Sequence, residues 1–170
     1  MAEDEVSRVW SLIEDISIAM VVTHAAGQAM RARPMAARAD QAENAVYFLT
    51  DAGAAKDEEI RRDDNICLAF VDTAKQKYLS VTGRGEILND RDKIKRYWSV
   101  FDRTFWRDAD DPAIRLLKVV PEQAEYWERA GALATTIKMI AAQTVGGRPD
   151  LGTNEKVDLG GLRNTRRRCS

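Results

Sequence analysis

Arg31 and Arg33 stand two apart in residues 28–37, a stretch that reads as a β-strand. On a strand this spacing puts both guanidiniums on one face, where they can converge on a single anion. The plain alternative is a solvent-facing strand. Pro34 argues against a routine ladder position, since it removes a backbone donor and is tolerated only at an edge or a bulge. A ligand lying across that backbone would account for it. Thr50, Gly53 and Lys56 form a second cluster, between a strand end and a helix start. Unpaired N–H groups there, with a lysine as point charge, suit an anion. Taken singly, each cluster reads more readily as ordinary surface. Together they describe an anion site between two strands.

Other reactive residues are few. His24 is the only histidine, and no Cys, Asp or Glu lies at a matching spacing for a metal cluster. Cys67 lies inside an apolar run and Cys169 one residue from the end, so neither a disulfide framework nor a metal spacing arises. No nucleophile with an identifiable base appears.

With 170 residues and 45% hydrophobic content, the chain suits one domain with a real core. Lys plus Arg total 26 against 27 for Asp plus Glu, a net charge of -1, so no global field draws nucleic acid or acidic lipid. The longest nearly apolar run, residues 16–23, is far short of the roughly 20 residues that span a bilayer. The acidic opening Met1-Ala2-Glu3-Asp4-Glu5 is unlike a signal peptide. These features predict a cytoplasmic protein with no nucleic-acid or membrane partner.

The positioning elements follow from periodicity. Val6, Val9, Trp10, Ile13 and Ile16 recur at helical spacing, which predicts a helix over 4–16. Residues 18–23 and 28–37 flank the turn Ala25-Ala26-Gly27 and read as a hairpin. After a polar turn at 39–44, residues 45–50 form a third strand, followed by a short charged helix over 56–62. Strands at 66–71 and 77–88 come next, and Gly83 and Gly85 suggest a bulge or bend in the second. Asn89 is the expected N-cap of an aromatic-faced helix over 90–105, built on Ile94, Tyr97, Trp98, Phe101 and Phe105. Residues 116–120 and 123–127 read as a final pair of strands around a Pro121-Glu122 turn, and Leu133, Ile137 and Ile140 mark a last short helix. Residues 1–145 thus make the domain, with 146–170 a polar, mobile tail ending in basic residues at Arg163, Arg166, Arg167 and Arg168. Seven strand candidates with few helices predict a small antiparallel barrel.

Element order and particular residues resemble the pyridoxamine 5'-phosphate oxidase-like flavin-binding split barrels, in particular the general stress protein 26 group. The resemblance covers about residues 6–159 and is carried by several stretches. These are Arg31-Ala32-Arg33-Pro34-Met35, Tyr47-Phe48-Leu49-Thr50 with Ala55-Lys56, Glu59-Ile60-Arg61-Arg62-Asp63, Tyr78-Leu79-Ser80-Val81-Thr82-Gly83, Ala124-Glu125-Tyr126-Trp127 and Asn154-Glu155-Lys156-Val157. It implies a mainly β fold, a split barrel of six to seven antiparallel strands, that pairs as a homodimer around a flavin, FMN or FAD. It also implies that Arg31 or Arg33 and Lys56 bind the phosphate, that Pro34, Met35, Leu49 and Thr50 line the isoalloxazine, and that Trp106 supplies an aromatic wall. The implied function is a flavin-binding stress protein with weak NAD(P)H-linked oxidoreductase activity. A genuine flavin oxidoreductase and a flavin-free dimeric scaffold are the alternatives. The chain departs from the group at Ala54 and Ala55, where many relatives carry a hydroxyl residue, and at Phe105-Trp106-Arg107-Asp108, where they often carry a proline.

Overall fold

A computed structural model describes residues 2–129 and 152–160. Helix α1 (Ala2–Ile16) precedes strands β1 (Ile18–His24), β2 (Met30–Ala36), β3 (Arg38–Asp40) and β4 (Ala45–Asp51). Helix α2 (Ala55–Arg62) leads into β5 (Asn65–Asp72) and β6 (Lys77–Leu88), and α3 (Arg91–Tyr97) is followed by a 3-10 helix, Val100–Thr104. Strands β7 (Ile114–Arg129) and β8 (Gly152–Asp158) complete the order. Every pairing is antiparallel, in the sequence β2-β1-β5-β6-β7-β4-β3, with β8 also on β7. The sheet curls so that β2 and β4 face each other across a gap without pairing, which makes the barrel split. Among the described residues no helix is long and apolar enough to cross a membrane.

The alternation of β1, β5 and β6 sends Ala19, Val21, Leu68, Phe70, Leu79 and Val81 inward, where α1 adds Val9, Trp10, Leu12 and Ile13. Strand β4 is buried from Ala45 to Thr50, because Val46 and Phe48 face the barrel core while Ala45, Tyr47 and Leu49 pack with Ile94 of α3. Few strands are covered on both faces, and this one lines the gap.

Several sequence expectations change. Residues 114–129 form one strand, not two around a turn. Its register against β6 shifts between Thr82 and Gly83, which pair with Gln123 and Pro121, so Glu122 is the extra residue of a bulge. Pro121 fits there because, along the other edge of β7, pairing with β4 stops at Val119 and pairing with β8 begins at Gln123. No ladder donor is needed between them. The aromatic helix expected over 90–105 is capped by Asp90, not Asn89: the Asp90 carboxylate accepts the Lys93 N–H at 3.0 Å. It ends at Tyr97, since the Asp102 carboxylate accepts both the N–H and the hydroxyl of Ser99 and starts a separate 3-10 helix. Arg38–Asp40, placed at the edge of a polar turn by sequence, is a short strand on β4. Residues 152–158, read as tail, pair with β7 from Gln123 to Arg129. The short helix expected around Leu133, Ile137 and Ile140 lies outside the described residues, as do 146–151 and 161–170.

Candidate functional site

The gap between β2 and β4 opens into a groove of about 510 Å³. Pro34, Met35 and Ala36 of β2 form one side, Leu49, Thr50 and Asp51 of β4 the other, and Phe101, Phe105 and Trp106 stand over it. Five residues singled out by sequence therefore meet here: Pro34, Met35, Leu49, Thr50 and Trp106. Pro34 is tolerated because β2 ends the sheet and pairs only with β1.

Thr50 is the most informative of these. It is 1% exposed, and its hydroxyl has no hydrogen-bond partner among the described residues. A buried hydroxyl left unpaired costs about 1–3 kcal/mol, so one that lines a groove is suited to a polar ligand edge. The Trp106 indole N–H donates to Asp51 Oδ1 at 2.6 Å, which fixes the ring against β4. Phe101 and Phe105 lie edge to face with centroids 5.8 Å apart, and both are more than half exposed.

This aromatic wall is held from below by a residue that sequence reasoning missed. Arg38 donates from Nη2 to both Asp102 carboxylate oxygens at 2.7 Å, from Nη1 to the Ala36 carbonyl at 2.6 Å, and from Nε to the Tyr97 carbonyl at 3.2 Å. The pair is largely buried, and it ties β3 to the end of α3 and the 3-10 helix. The only sequence signal was the Ser99-x-x-Asp102 capping spacing inside the supposed helix.

The other expected residues lie elsewhere. Arg31 and Arg33 are not in the groove lining and bond α2. Arg33 donates to the Thr23 hydroxyl at 3.0 Å and to both Glu59 oxygens at 3.1 and 3.0 Å, while Arg31 reaches Glu59 Oε1 at 3.4 Å. The Thr23 hydroxyl also donates to Glu59 at 2.7 Å. Burial pushes the Glu59 carboxyl up, but the Thr23 hydroxyl and the two guanidiniums outweigh it, and the net shift is downward. Lys56 stands in the first turn of α2, and its side chain lies outside the described residues. His24 has a structural partner: its Nδ1 is 2.9 Å from Asp63 Oδ2.

Because Glu59 ionises more readily folded than unfolded, its contribution to stability is present above the unfolded value near pH 4.3 and is lost as pH falls through the lower folded value. The melting temperatures of wild type and Glu59→Gln should therefore differ most at neutral pH and converge below about pH 4. A gap that stays constant down to pH 2 would remove the linkage.

Fold and groove together define the class: a split β-barrel with a mostly apolar, aromatic-walled cleft beside its open seam. The chain belongs to the pyridoxamine 5'-phosphate oxidase like family, whose model matches residues 4–150. Among solved structures, a protein assigned as general stress protein 26 from Jannaschia sp. CCS1 is 23% identical, with a TM-score of 0.73 over 92% of this chain and 99% of that one. A protein related to general stress protein 26 from Clostridium acetobutylicum is 20% identical, with a TM-score of 0.69 over 95% and 99%. The general stress FMN/FAD binding protein of Xanthomonas citri is 17% identical, with a TM-score of 0.66 over 76% and 92%. No curated protein matches the sequence.

Proposed function

We propose that this protein binds a flavin, FMN with FAD as the alternative, in the groove between β2 and β4. On this reading it is a cytoplasmic flavin-binding stress protein with weak NAD(P)H-linked oxidoreductase activity. The buried Thr50 hydroxyl, without a partner among the described residues, in a mostly apolar, aromatic-walled groove carries the reading. A flat ring with a polar edge needs such walls and a few placed polar groups. Pro34, Met35 and Leu49 would lie against the ring, Thr50 would bond its edge, and Trp106 would close one side. Bound flavin would supply hydride and single-electron transfer.

Weak turnover follows from the groove's own charges. Arg38 and Asp102 bond each other, and Asp51 holds the Trp106 indole. Among the described lining residues, each ionisable side chain is thus engaged, and no free group stands ready to move a proton. A homodimer belongs to the same reading, because Val100, Phe101 and Phe105 are 77%, 56% and 64% exposed beside the groove and a second subunit would cover them. Sizing in solution as a monomer would remove that part.

An absorption spectrum of the untreated protein should show flavin bands. Saturating FMN or FAD, at about a hundred times its dissociation constant, should stabilise by about 2.7 kcal/mol. Thr50→Val separates the ligand's contribution from the protein's own stability. It should weaken flavin binding about fivefold, one hydrogen bond's worth, while the ligand-free protein keeps or gains stability through loss of an unpaired hydroxyl. Absence of both bands and melting shift would support the flavin-free scaffold instead.

A further inference from the structure

Arg31 and Arg33 do converge on one anion, and that anion is a side chain of this protein. Glu59 is anchored on α2 with its side chain only 7% exposed, and it takes two bonds from Arg33, one from Thr23 and a longer one from Arg31. We propose that Glu59 is a specificity-determining residue: its carboxylate holds the place between Arg31 and Arg33 that a ligand phosphate would take, so the site draws little affinity from a dianionic phosphate. The inference rests on the flavin reading for its ligand, and on the side-chain geometry alone for the resident anion.

Most of the Arg33 fork is committed inside the protein, Nη1 to Thr23 and Nη2 to both Glu59 oxygens, while Arg31, 57% exposed, gives Glu59 one long bond at 3.4 Å. The start of α2 is occupied in the same sense. The buried Asp57 accepts the Gly53 N–H at 2.9 Å through Oδ2, and its Oδ1 has no partner among the described residues. A phosphate between the two arginines must therefore displace Glu59 or bear its repulsion. Thr23 reinforces Glu59, because its hydroxyl donates to the carboxylate and accepts from Arg33, which locks the three groups into one arrangement.

The experiment compares wild type with Glu59→Gln in two measurements. Melts in inorganic phosphate and in chloride at equal ionic strength detect phosphate binding, and fluorescence titrations give the affinities for FMN and riboflavin, which differ by the phosphate. Wild type should show no phosphate-specific shift, with FMN and riboflavin within about tenfold of each other. Glu59→Gln should gain a phosphate-specific shift and bind FMN about tenfold more tightly, with riboflavin changed less than about twofold. Adding Arg31→Ala should cancel that gain. Wild type favouring FMN by more than about tenfold overturns the proposal, and so does a Glu59→Gln protein whose FMN affinity falls more than its riboflavin affinity. The wild-type ratio decides alone if the variant does not fold. If no flavin binds either protein but Glu59→Gln gains the phosphate shift, the flavin reading falls and the resident anion stands. If the variant folds and shows no phosphate shift, the resident anion falls whatever the flavins do.

Discussion

Arg38→Ala should destabilise the protein by about 3–5 kcal/mol, because it leaves the Asp102 carboxylate, 3% exposed, without its charge partner. For a chain of this length that corresponds to a fall in melting temperature of about 6–20 °C. Asp102 would keep only the Ser99 N–H and hydroxyl. The same change frees the Ala36 and Tyr97 carbonyls that Arg38 now bonds, so β3, α3 and the 3-10 helix lose their common tie. Phe101 belongs to that 3-10 helix and Trp106 follows it, so the aromatic wall should loosen together with the fold. A paired replacement, Arg38→Met with Asp102→Leu, should recover part of the stability, since no buried charge is then left alone, while the Ala36 and Tyr97 carbonyls and the Ser99 donors still lose their partners. Chemical denaturation of the single and double variants measures both effects. A cost below about 1 kcal/mol for Arg38→Ala would mean that the pair is not the tie described here.

Gly83→Ala should produce the second large effect. A Cβ at this position would lie 2.2 Å from the Val120 carbonyl oxygen and 2.9 Å from its carbon, both backbone atoms of the paired strand. The bulge between Thr82 and Gly83 would have to open, at a cost of about 3 kcal/mol, the upper end for an overpacked site. Gly85→Ala makes the internal comparison. Its Cβ would meet Ile66 Cδ1 at 2.2 Å, the far end of a side chain that can change rotamer, so its cost should be clearly smaller. Equal losses at the two positions in denaturant titrations would show that the backbone approach at the bulge is not what demands glycine at 83.

The two halves of the expected site were legible to different degrees. Pro34, Met35, Leu49 and Thr50 were placed along a common gap by the family resemblance, since strand period and the position of a proline are local properties that locate each residue only on its own strand. That they share one groove with Trp106 depends on how far the sheet curls. The charged half reads differently in three dimensions. Two arginines at i and i+2 signal convergence on an anion, but sequence carries no sign of whether that anion is a ligand or the protein. Glu59 appeared in the sequence only as one acidic residue on a short charged helix. Folding α2 against β1 puts its carboxylate between Arg33 and Thr23.

The amino-acid sequence alone determined the antiparallel strands, the helix α1 and the bend at Gly83, because these follow from side-chain alternation, helical spacing and the conformational freedom of glycine. Tertiary structure decided the rest. It kept residues 114–129 as one strand, since Pro121 falls where neither β4 nor β8 asks it for a donor. It broke the aromatic helix at Trp98, since Asp102 bonds Ser99 locally and Arg38 from afar. It also turned Arg31 and Arg33 toward Glu59. Each outcome depends on partners distant in the chain, and local propensity carries no information about those.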